Sequence, residues 1–257
     1  MCLILWAHDC HPQYKLILMA NRDEFYSRPT SPASFWVDPP GLLAGRDEKE
    51  GGTWMGVTTE GRWAALTNYR DPSDQNSQAP SRGHLVHKYL HSRIIAESYC
   101  EGLLSAGLPY NGYSLLAGTC DRIIYFSNRE RMVREVDRGV HGLCNGLIDT
   151  PWPKTIKGKK ALAAAIKKPA IDVEHLFAIM ADRERPGDHE LPRTGVSLEL
   201  ERMLAPLYVE SQDYGYGTRS TTILLIDRSH EVQFWERSFD PSQPGASSEV
   251  YHAFQVG

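Results

Sequence analysis

A cysteine in the second position is the residue of this sequence best suited to chemistry. Removal of Met1 would leave Cys2 with a thiol and a free α-amine on the same residue. An α-amine has a pKa of about 7.7 to 8.0 and a thiol one of about 8.5, so the amine can accept the thiol proton near neutral pH. N-terminal threonine nucleophiles use the same logic. The alternative is a small apolar residue entering a buried strand, where cysteine commonly lies.

Charged and amide side chains follow the second apolar run of the chain and could assist this thiol. They are Asn21, Arg22, Asp23 and Glu24. If the first two strands pair, a carboxylate there could hold the α-amine, and Arg22 could lower the pKa of the thiol. The same four residues could instead form a solvated turn with local ion pairs.

Three further side chains stand at predicted strand ends. Asn68 ends one strand and Asn145 follows another, and both could donate to a developing oxyanion, although Asn is also an ordinary turn residue. Arg219 precedes the apolar residues 223–226 and could reach a thiolate or a substrate carboxylate. Its alternative role is a charge that keeps a strand edge from pairing.

Short apolar runs, turn residues and helical spacing give the order of the elements that must position these groups. The patterns predict strands at 2–7, 14–20, 53–59, 63–69, 113–119, 123–127, 132–136, 140–144, 218–227 and 232–239. They predict two helices between 82 and 107, a helix from Pro153 to 168, one capped by Asp172 to 183, and one at 198–209. A proline-rich loop (29–40), an exposed polar loop (71–81) and a second sheet region (113–144) complete the prediction.

Hairpins dominate the strand connections, which indicates antiparallel sheets with segregated helices, an α+β fold. Two such sheets packed face to face with helices outside would make a four-layer αββα sandwich. We expect one domain over 1–257.

Composition limits the class of partner. The net charge is -4 without a basic block, which argues against nucleic acid, and no apolar run approaches the roughly 20 residues of a membrane span. Five cysteines without a C-x-x-C pair favour free thiols in a reducing, cytoplasmic setting. His8, Asp9, Cys10 and His11 are close in sequence but lack a second ligand cluster, so we expect no metal and no cofactor. The expected partner is a small molecule.

Several motifs together are similar to those of the NRDE family, which includes the transport and Golgi organisation protein 2 homologues. The motifs are Met1-Cys2, Asn21-Arg22-Asp23-Glu24, Gly51 to Val57, Thr67-Asn68-Tyr69-Arg70 and Ser81-Arg82-Gly83. The match spans nearly the whole chain. It implies roles in lipid and acyl-CoA homeostasis, Golgi organisation and haem handling.

The family resembles in turn the N-terminal-nucleophile (Ntn) cysteine hydrolases, such as penicillin V acylase and bile salt hydrolase. That resemblance implies Cys2 as nucleophile and Asn21 and Asp23 as the Asn-x-Asp segment. It also implies Asn68 or Tyr69 and then Asn145 as oxyanion donors, and Arg219 as the arginine near the thiol. Those hydrolases carry an arginine just before Asn-x-Asp, where this chain has Ala20, and Arg22 is the candidate for its role.

Two functions follow from these expectations. The first is hydrolysis of a linear amide or thioester, in which Cys2 takes up the acyl group and Glu24, Trp54 and Tyr69 bind substrate. The second is a non-catalytic carrier of a lipid, acyl-CoA or haem that uses a cavity of the same fold. The two functions differ in that hydrolysis requires Cys2, whereas ligand carriage does not. The oligomeric state is left open.

Overall fold

The computed structural model describes residues 2–38, 40–73, 75–107, 109–243 and 245–257. Met1, and with it the predicted removal of this residue, lies outside the described residues, as does Pro39 of the predicted proline-rich loop. The strands in chain order are β1 (Cys2–His8), β2 (Tyr14–Phe25), β3 (Thr30–Phe35), β4 (Leu42–Asp47), β5 (Met55–Thr58), β6 (Trp63–Asn68), β7 (Tyr113–Gly118), β8 (Ile123–Ser127), β9 (Met132–Glu135), β10 (Gly139–Leu143), β11 (Glu210–Ser211), β12 (Tyr216–Asp227), β13 (Glu231–Phe239) and β14 (Ser247–Gln255). The helices are α1 (Gly83–His91), α2 (Ala96–Ala106), α3 (Pro153–Ala165), α4 (Val173–Met180) and α5 (Leu198–Leu204), with a 3₁₀ turn at Asp188–Glu190.

The strands form two antiparallel sheets. Sheet A has the order β10-β1-β2-β12-β13-β14, with β11 paired to β12, and sheet B runs in sequence order from β3 to β9. One apolar core, which includes Trp6, Leu18, Trp63 and Phe234, fills the space between the sheets. Two further cores hold α1 and α2 against sheet B and α3 and α4 against sheet A. The predicted α+β, four-layer αββα architecture is therefore confirmed.

Strand alternation decides which way the first residues face. Ile4 and Trp6 belong to the core between the sheets, whereas Leu3, Leu5 and Ala7 belong to the core under α3 and α4. Because successive side chains of a strand point to opposite faces, Cys2 shares the face of Ile4 and is directed toward sheet B. The strand is apolar on both faces because both are covered.

The helices are short, and their starts carry recognisable caps. The side chains of Asp172 and Ser197 accept hydrogen bonds from backbone N–H groups of α4 and α5, which confirms the Asp172 cap. The helices at this end of the chain stop earlier than predicted, at Met180 and Leu204. In the described part of the chain, none of the helices combines the length and the apolar character that a bilayer crossing requires.

Several details of the predicted topology are wrong. The 21–24 tetrad lies inside β2, because β12 pairs with that strand as far as Phe25. The proline-rich segment contains β3, an edge strand that tolerates Pro32 next to a register shift, and the following β4 was missed, as was β14. Residues 113–144 divide between the sheets, since β7 to β9 extend sheet B while β10 pairs with β1.

Candidate active site

A pocket of about 220 Å³ opens at the end of the sandwich where β1 begins and β2 ends. Cys2 lies in its wall, together with residues from both sheets and from the start of α1. The wall includes Arg22, Asp23, Glu24, Arg28, Asp47, Trp54, Asn68 and Arg82. The pocket therefore brings together Cys2 and most of the residues that the sequence analysis singled out.

The Cys2 thiol has a cation on its own face of sheet A. Cys2 and Arg22 are directly opposite in the β1–β2 register, so their side chains share a face. Arg22 is 5% exposed, donates to Thr30 Oγ1 at 3.0 Å, and stacks its guanidinium 4.3 Å from the Trp54 ring centroid. Burial raises the pKa of the Cys2 thiol, whereas the charge of Arg22 and the backbone N–H of Asp23 oppose that shift.

The register also explains the displaced arginine of the sequence pattern. Positions 20 and 22 are two apart on one strand, so Ala20 and Arg22 lie on the same face of β2. Moving the arginine by two positions therefore keeps it on the thiol side of the sheet. Among the described residues, Arg22 is the arginine paired with Cys2.

Asn21 and Asp23 point to the opposite face, toward the helices. Asn21 Nδ2 donates to the carbonyls of Met180 and Leu207, both at 2.9 Å, and its Oδ1 accepts from Thr221 at 2.6 Å. These bonds satisfy the buried amide and fasten β2 to the helical layer. Asn21 thus stands away from the thiol, in contrast to the neighbouring Arg22.

Asp23 is nearly inaccessible to solvent and is supported by a buried lysine. Its Oδ1 accepts from Thr218 Oγ1 at 2.7 Å. Lys154 is 3% exposed and donates to the Leu204 carbonyl at 3.0 Å. Burial raises the pKa of Asp23 and lowers that of Lys154, and each charge favours the ionised form of the other group. Sequence reasoning missed Lys154, because a lysine within a Lys- and Ala-rich helix looks solvent-exposed.

The two asparagines predicted as oxyanion donors are in contact, but only one lines the pocket. Asn68 is in the pocket wall with Cys2. Asn145 is 1% exposed and donates through Nδ2 to the Asn68 backbone carbonyl at 2.9 Å. Tyr69 is not in that wall but lines an adjoining hollow with Asp71 and Pro72, which shares Asn68 and Arg82 with the Cys2 pocket.

Arg219 occupies the register shift between Thr218 and Ser220 of β12. Its NH1 lies 3.1 Å from three backbone carbonyls, those of Phe25, Tyr26 and Arg28. The guanidinium therefore holds the segment that follows β2. It is not among the residues that line the Cys2 pocket with Arg22.

The other charged side chains of the pocket differ in how far they are neutralised. Arg28 makes a forked ion pair with Asp47, at 2.6 Å for the closest contact, and Glu24 lies 3.9 Å from Arg22 and 3.8 Å from Arg28. Arg82 donates to the Gly112 carbonyl at 3.0 Å, and within the described ranges it forms no ion pair with a carboxylate. Burial lowers the pKa of Arg82. Arg82 is thus the cation best placed to meet an anionic or polar substrate group.

Two glycines of the quoted motifs explain how Arg82 reaches the pocket. Thr53 N–H donates to the Gly83 carbonyl at 3.3 Å, and a Cβ on Gly52 would come within 2.7 Å of the Gly83 backbone. Only a residue without a side chain allows this approach of two backbones. The contact places the start of α1, and with it Arg82, beside the pocket wall.

A second, apolar pocket of about 450 Å³ continues from the first. The two share Glu24, Arg28, Asn68 and Arg82. The remaining wall is largely apolar and comes from α5, its flanking loops, the end of β2 and the start of β12, with Phe25, Val196, Leu200, Met203, Leu204, Tyr214 and Tyr216, and it includes one charged residue, Arg70. A ligand with an apolar part and a polar part would fit the two pockets with its junction beside these four shared residues.

The residues at 8–11 do not gather around a common point. His8 Nε2 lies 3.2 Å from the Cys120 carbonyl, and Asp9 forms ion pairs with Arg138 and Arg228. His11 Nε2 lies 3.0 Å from the Lys168 carbonyl. Each side chain is therefore committed to a different part of the fold.

Comparison with known proteins places this geometry in context. A family model described as Transport and Golgi organisation 2 matches residues 1–241. The Transport and Golgi organization protein 2 homolog of Bos taurus is 36% identical over 282 residues, covering 100% of this chain and 99% of that protein. A mutant of conjugated bile acid hydrolase from Clostridium perfringens has a TM-score of 0.56 at 11% identity, covering 100% of this chain and 97% of that one. The N-acylethanolamine-hydrolyzing acid amidase ortholog of Caenorhabditis elegans has a TM-score of 0.52 at 10% identity, with coverages of 87% and 92%.

Proposed function

The chain belongs to the Transport and Golgi organisation 2 family and has an Ntn-hydrolase-like fold, and we propose that it is a cysteine hydrolase of an acyl amide or thioester. One observation carries the proposal: Cys2 begins a central strand, faces a pocket, and is paired with Arg22. The two proteins of similar fold are named a conjugated bile acid hydrolase and an N-acylethanolamine-hydrolyzing acid amidase, which favours hydrolysis here as well. Fold alone leaves the reaction undetermined, so the proposal rests on the site.

The reaction begins with removal of Met1, which frees the α-amine of Cys2. The thiol passes its proton to this amine, and the sulfur attacks the substrate carbonyl. The tetrahedral intermediate collapses to an acyl-enzyme thioester as the leaving amine or thiol takes the proton from the α-ammonium. Water then attacks the thioester and gives a proton to the α-amine. Release of the acid returns that proton to the sulfur, so atoms and charges balance.

The pocket offers a donor for the oxyanion and a cation for the thiolate. Asn68 is the side chain in the pocket wall that we assign to the oxyanion, and Asn145 is its positioning residue through the 2.9 Å bond to the Asn68 carbonyl. Arg22 stabilises the thiolate, since it lowers the pKa of Cys2 against the effect of burial. The stack on Trp54 keeps the guanidinium in place.

Asp23 serves the α-amine. Asp23 is a residue of the pocket wall and its backbone N–H meets the thiol, so it adjoins Cys2, although its carboxyl group points toward the helices and accepts from Thr218. Lys154 favours the ionised carboxylate, which in turn favours protonation of the amine after the thiol has given up its proton. We assign Lys154 as a positioning residue that acts through Asp23.

The polar pocket at Cys2 and the apolar pocket that continues from it together favour an amphipathic substrate. The acyl chain lies along Leu200, Met203 and Tyr216, and the leaving group meets Arg82 in the polar pocket. Burying an apolar chain contributes about 0.8 kcal/mol per methylene, so the apolar pocket favours long chains over acetyl. The free thiols favour a reducing compartment such as the cytoplasm for this reaction.

The apolar pocket also supports the second candidate, a carrier that binds a lipid, acyl-CoA or haem without cleaving it. Its walls need no thiol to hold an apolar ligand, since α5 and Tyr216 supply them. A carrier would bind the same ligands with or without Cys2.

The experiment compares three forms of the mature protein on a panel of acyl amides and thioesters with short and long chains. Cys2→Ala removes the nucleophile, and Cys10→Ser, at an exposed thiol whose side chain contacts the His8 carbonyl, is the matched control. We expect hydrolysis by the unaltered protein and by Cys10→Ser, and none above background by Cys2→Ala. Hydrolysis retained in Cys2→Ala, or ligand binding without turnover in all three, would refute the proposal and favour the carrier.

A further inference from the structure

Three side chains with metal-binding atoms meet at the end of the sandwich opposite Cys2. Cys120 and Asp121 lie in the turn between β7 and β8, and His230 lies in the turn between β12 and β13. Cys120 Sγ is 3.8 Å from His230 Nδ1 and 3.9 Å from Asp121 Oδ2, and the three ligand atoms are all within 4.8 Å of one another. The seven residues of β1 separate this cluster from the active-site end, a distance of roughly 20 Å.

We propose that Cys120, Asp121 and His230 form a binding site for a divalent ion of the zinc type. Zinc binds thiolate at about 2.3 Å and imidazole at about 2.0 to 2.1 Å in tetrahedral geometry, which sets a sulfur–nitrogen separation of about 3.6 Å. The observed 3.8 Å needs a movement of only a few tenths of an ångström. Thiolate, imidazole and carboxylate are the three ligand types of zinc sites, and three protein ligands leave one position for water.

Lys15 borders the site and must adjust when an ion binds. Its Nζ contacts Asp121 Oδ1 at 2.5 Å and His230 Nε2 at 3.3 Å, on the sides of these groups that face away from Cys120. Binding an ion through His230 Nδ1 leaves the imidazole proton on Nε2, so the contact with Lys15 is given up. The ammonium keeps Asp121 Oδ1, which orients the carboxylate as an outer hydrogen-bond partner does in metal sites.

The bound ion would tie the two sheets together. Cys120 and Asp121 lie in a turn of sheet B and His230 lies in a turn of sheet A, so the ion bridges the two sheets at the end opposite Cys2. His8 of sheet A already meets the Cys120 carbonyl at 3.2 Å beside it. An ion that binds the folded chain and not the unfolded one stabilises the fold. The site makes no use of Cys2, so it stands apart from the hydrolase proposal.

The position of His230 supplies a well-matched variant. Its backbone has φ of 66°, in the left-handed region that Asn tolerates, so His230→Asn removes the imidazole with little backbone strain. Cys120→Ser removes the thiolate. Cys10→Ser and Cys2→Ala, at thiols outside the cluster, are the controls.

The test is a titration of the metal-free full chain with Co²⁺, followed by the thiolate-to-cobalt charge-transfer absorption and then by displacement with Zn²⁺. We expect one Co²⁺ per chain, and a rise in the thermal unfolding midpoint with Zn²⁺. The absorption band and the rise in unfolding midpoint should be lost in Cys120→Ser and kept in both controls. His230→Asn should bind Co²⁺ at least tenfold more weakly than the unaltered chain. Absence of the absorption band from the unaltered chain would overturn the proposal, and so would an unchanged band and affinity in His230→Asn. The result with His230→Asn decides the question even if Cys120→Ser fails to fold.

Discussion

Replacement of Glu236 by Gln is expected to stabilise the fold at alkaline pH far more than at acidic pH. Glu236 is 2% exposed, and its Oε1 accepts from the Ala33 N–H at 2.7 Å, a contact that joins sheet A to sheet B. Its Oε2 lies 3.4 Å from Thr222 Oγ1. Burial raises the pKa of Glu236 from 4.5 to about 7, so the folded protein keeps a proton that the unfolded chain gives up.

The sign and size follow from this shift. Between about pH 4.5 and pH 7 the unfolded chain binds fewer protons than the folded one, so the free energy of unfolding falls by about 1.4 kcal/mol per pH unit. Above pH 7 the full shift costs on the order of 3 kcal/mol, and most of this loss develops between pH 5 and pH 8. Glu236→Gln keeps the acceptor for the Ala33 N–H and cannot ionise. It therefore removes the fall in the free energy of unfolding that this carboxyl group causes as the pH rises.

The assay is urea unfolding of both proteins at pH 5, 6, 7 and 8, with the variant's gain in unfolding free energy plotted against pH. Glu60→Gln, at an exposed turn position, controls for the loss of a carboxylate. The gain in Glu236→Gln should grow by roughly 2 to 3 kcal/mol from pH 5 to pH 8 and stay flat in the control. A flat profile in Glu236→Gln as well would refute the assignment of a raised pKa to this carboxyl group.

Three further variants test the site. Asn68→Ala should lower kcat about 10²- to 10³-fold with little change in KM, because the donor acts on the transition state; an unchanged kcat would exclude Asn68 as the oxyanion donor. Leu200→Trp, which fills the apolar pocket, should lower kcat/KM at least tenfold for long acyl chains and spare acetyl substrates, whereas an equal loss for both would remove the pocket from chain binding. Lys154→Met should cost about 3 kcal/mol in unfolding free energy and move the acid limb of the pH–rate profile to higher pH, since the pKa of Asp23 loses an opposing cation. A pH profile that does not move would make Lys154 a structural residue only.

The layers of the fold can be predicted from local sequence patterns, whereas the order of the strands within each sheet cannot. Alternation and hairpin turns locate β5 with β6 and β7 with β8, because these strands pair with their chain neighbours. The placement of β10 beside β1 joins residues more than 130 positions apart, and no local pattern encodes that pairing. The edge strand β14 has mostly exposed side chains, so it carries only a weak apolar signal.

The candidate site, too, can be predicted from the sequence only in part. That Cys2, Arg22 and Asn68 share one pocket is predictable, because Cys2 begins a strand, Arg22 comes near the end of the strand that pairs with it, and Asn68 ends a third strand. Arg219 and Asn145 have polar side chains that satisfy backbone carbonyls instead of lining the pocket, a choice made by loop geometry. The cluster of Cys120 and His230 escapes a search by spacing, because 110 residues separate its two members.

We propose that Cys2 is the acyl-accepting group of the mature chain. The most direct measurement is the intact mass of the purified protein before and after a brief exposure to an acyl thioester at neutral pH, with the modified residue mapped by peptide analysis. We expect a chain without Met1 that gains one acyl group on Cys2 and loses it with time. A chain that retains Met1, or an acyl group found on Cys10 and not on Cys2, would contradict it.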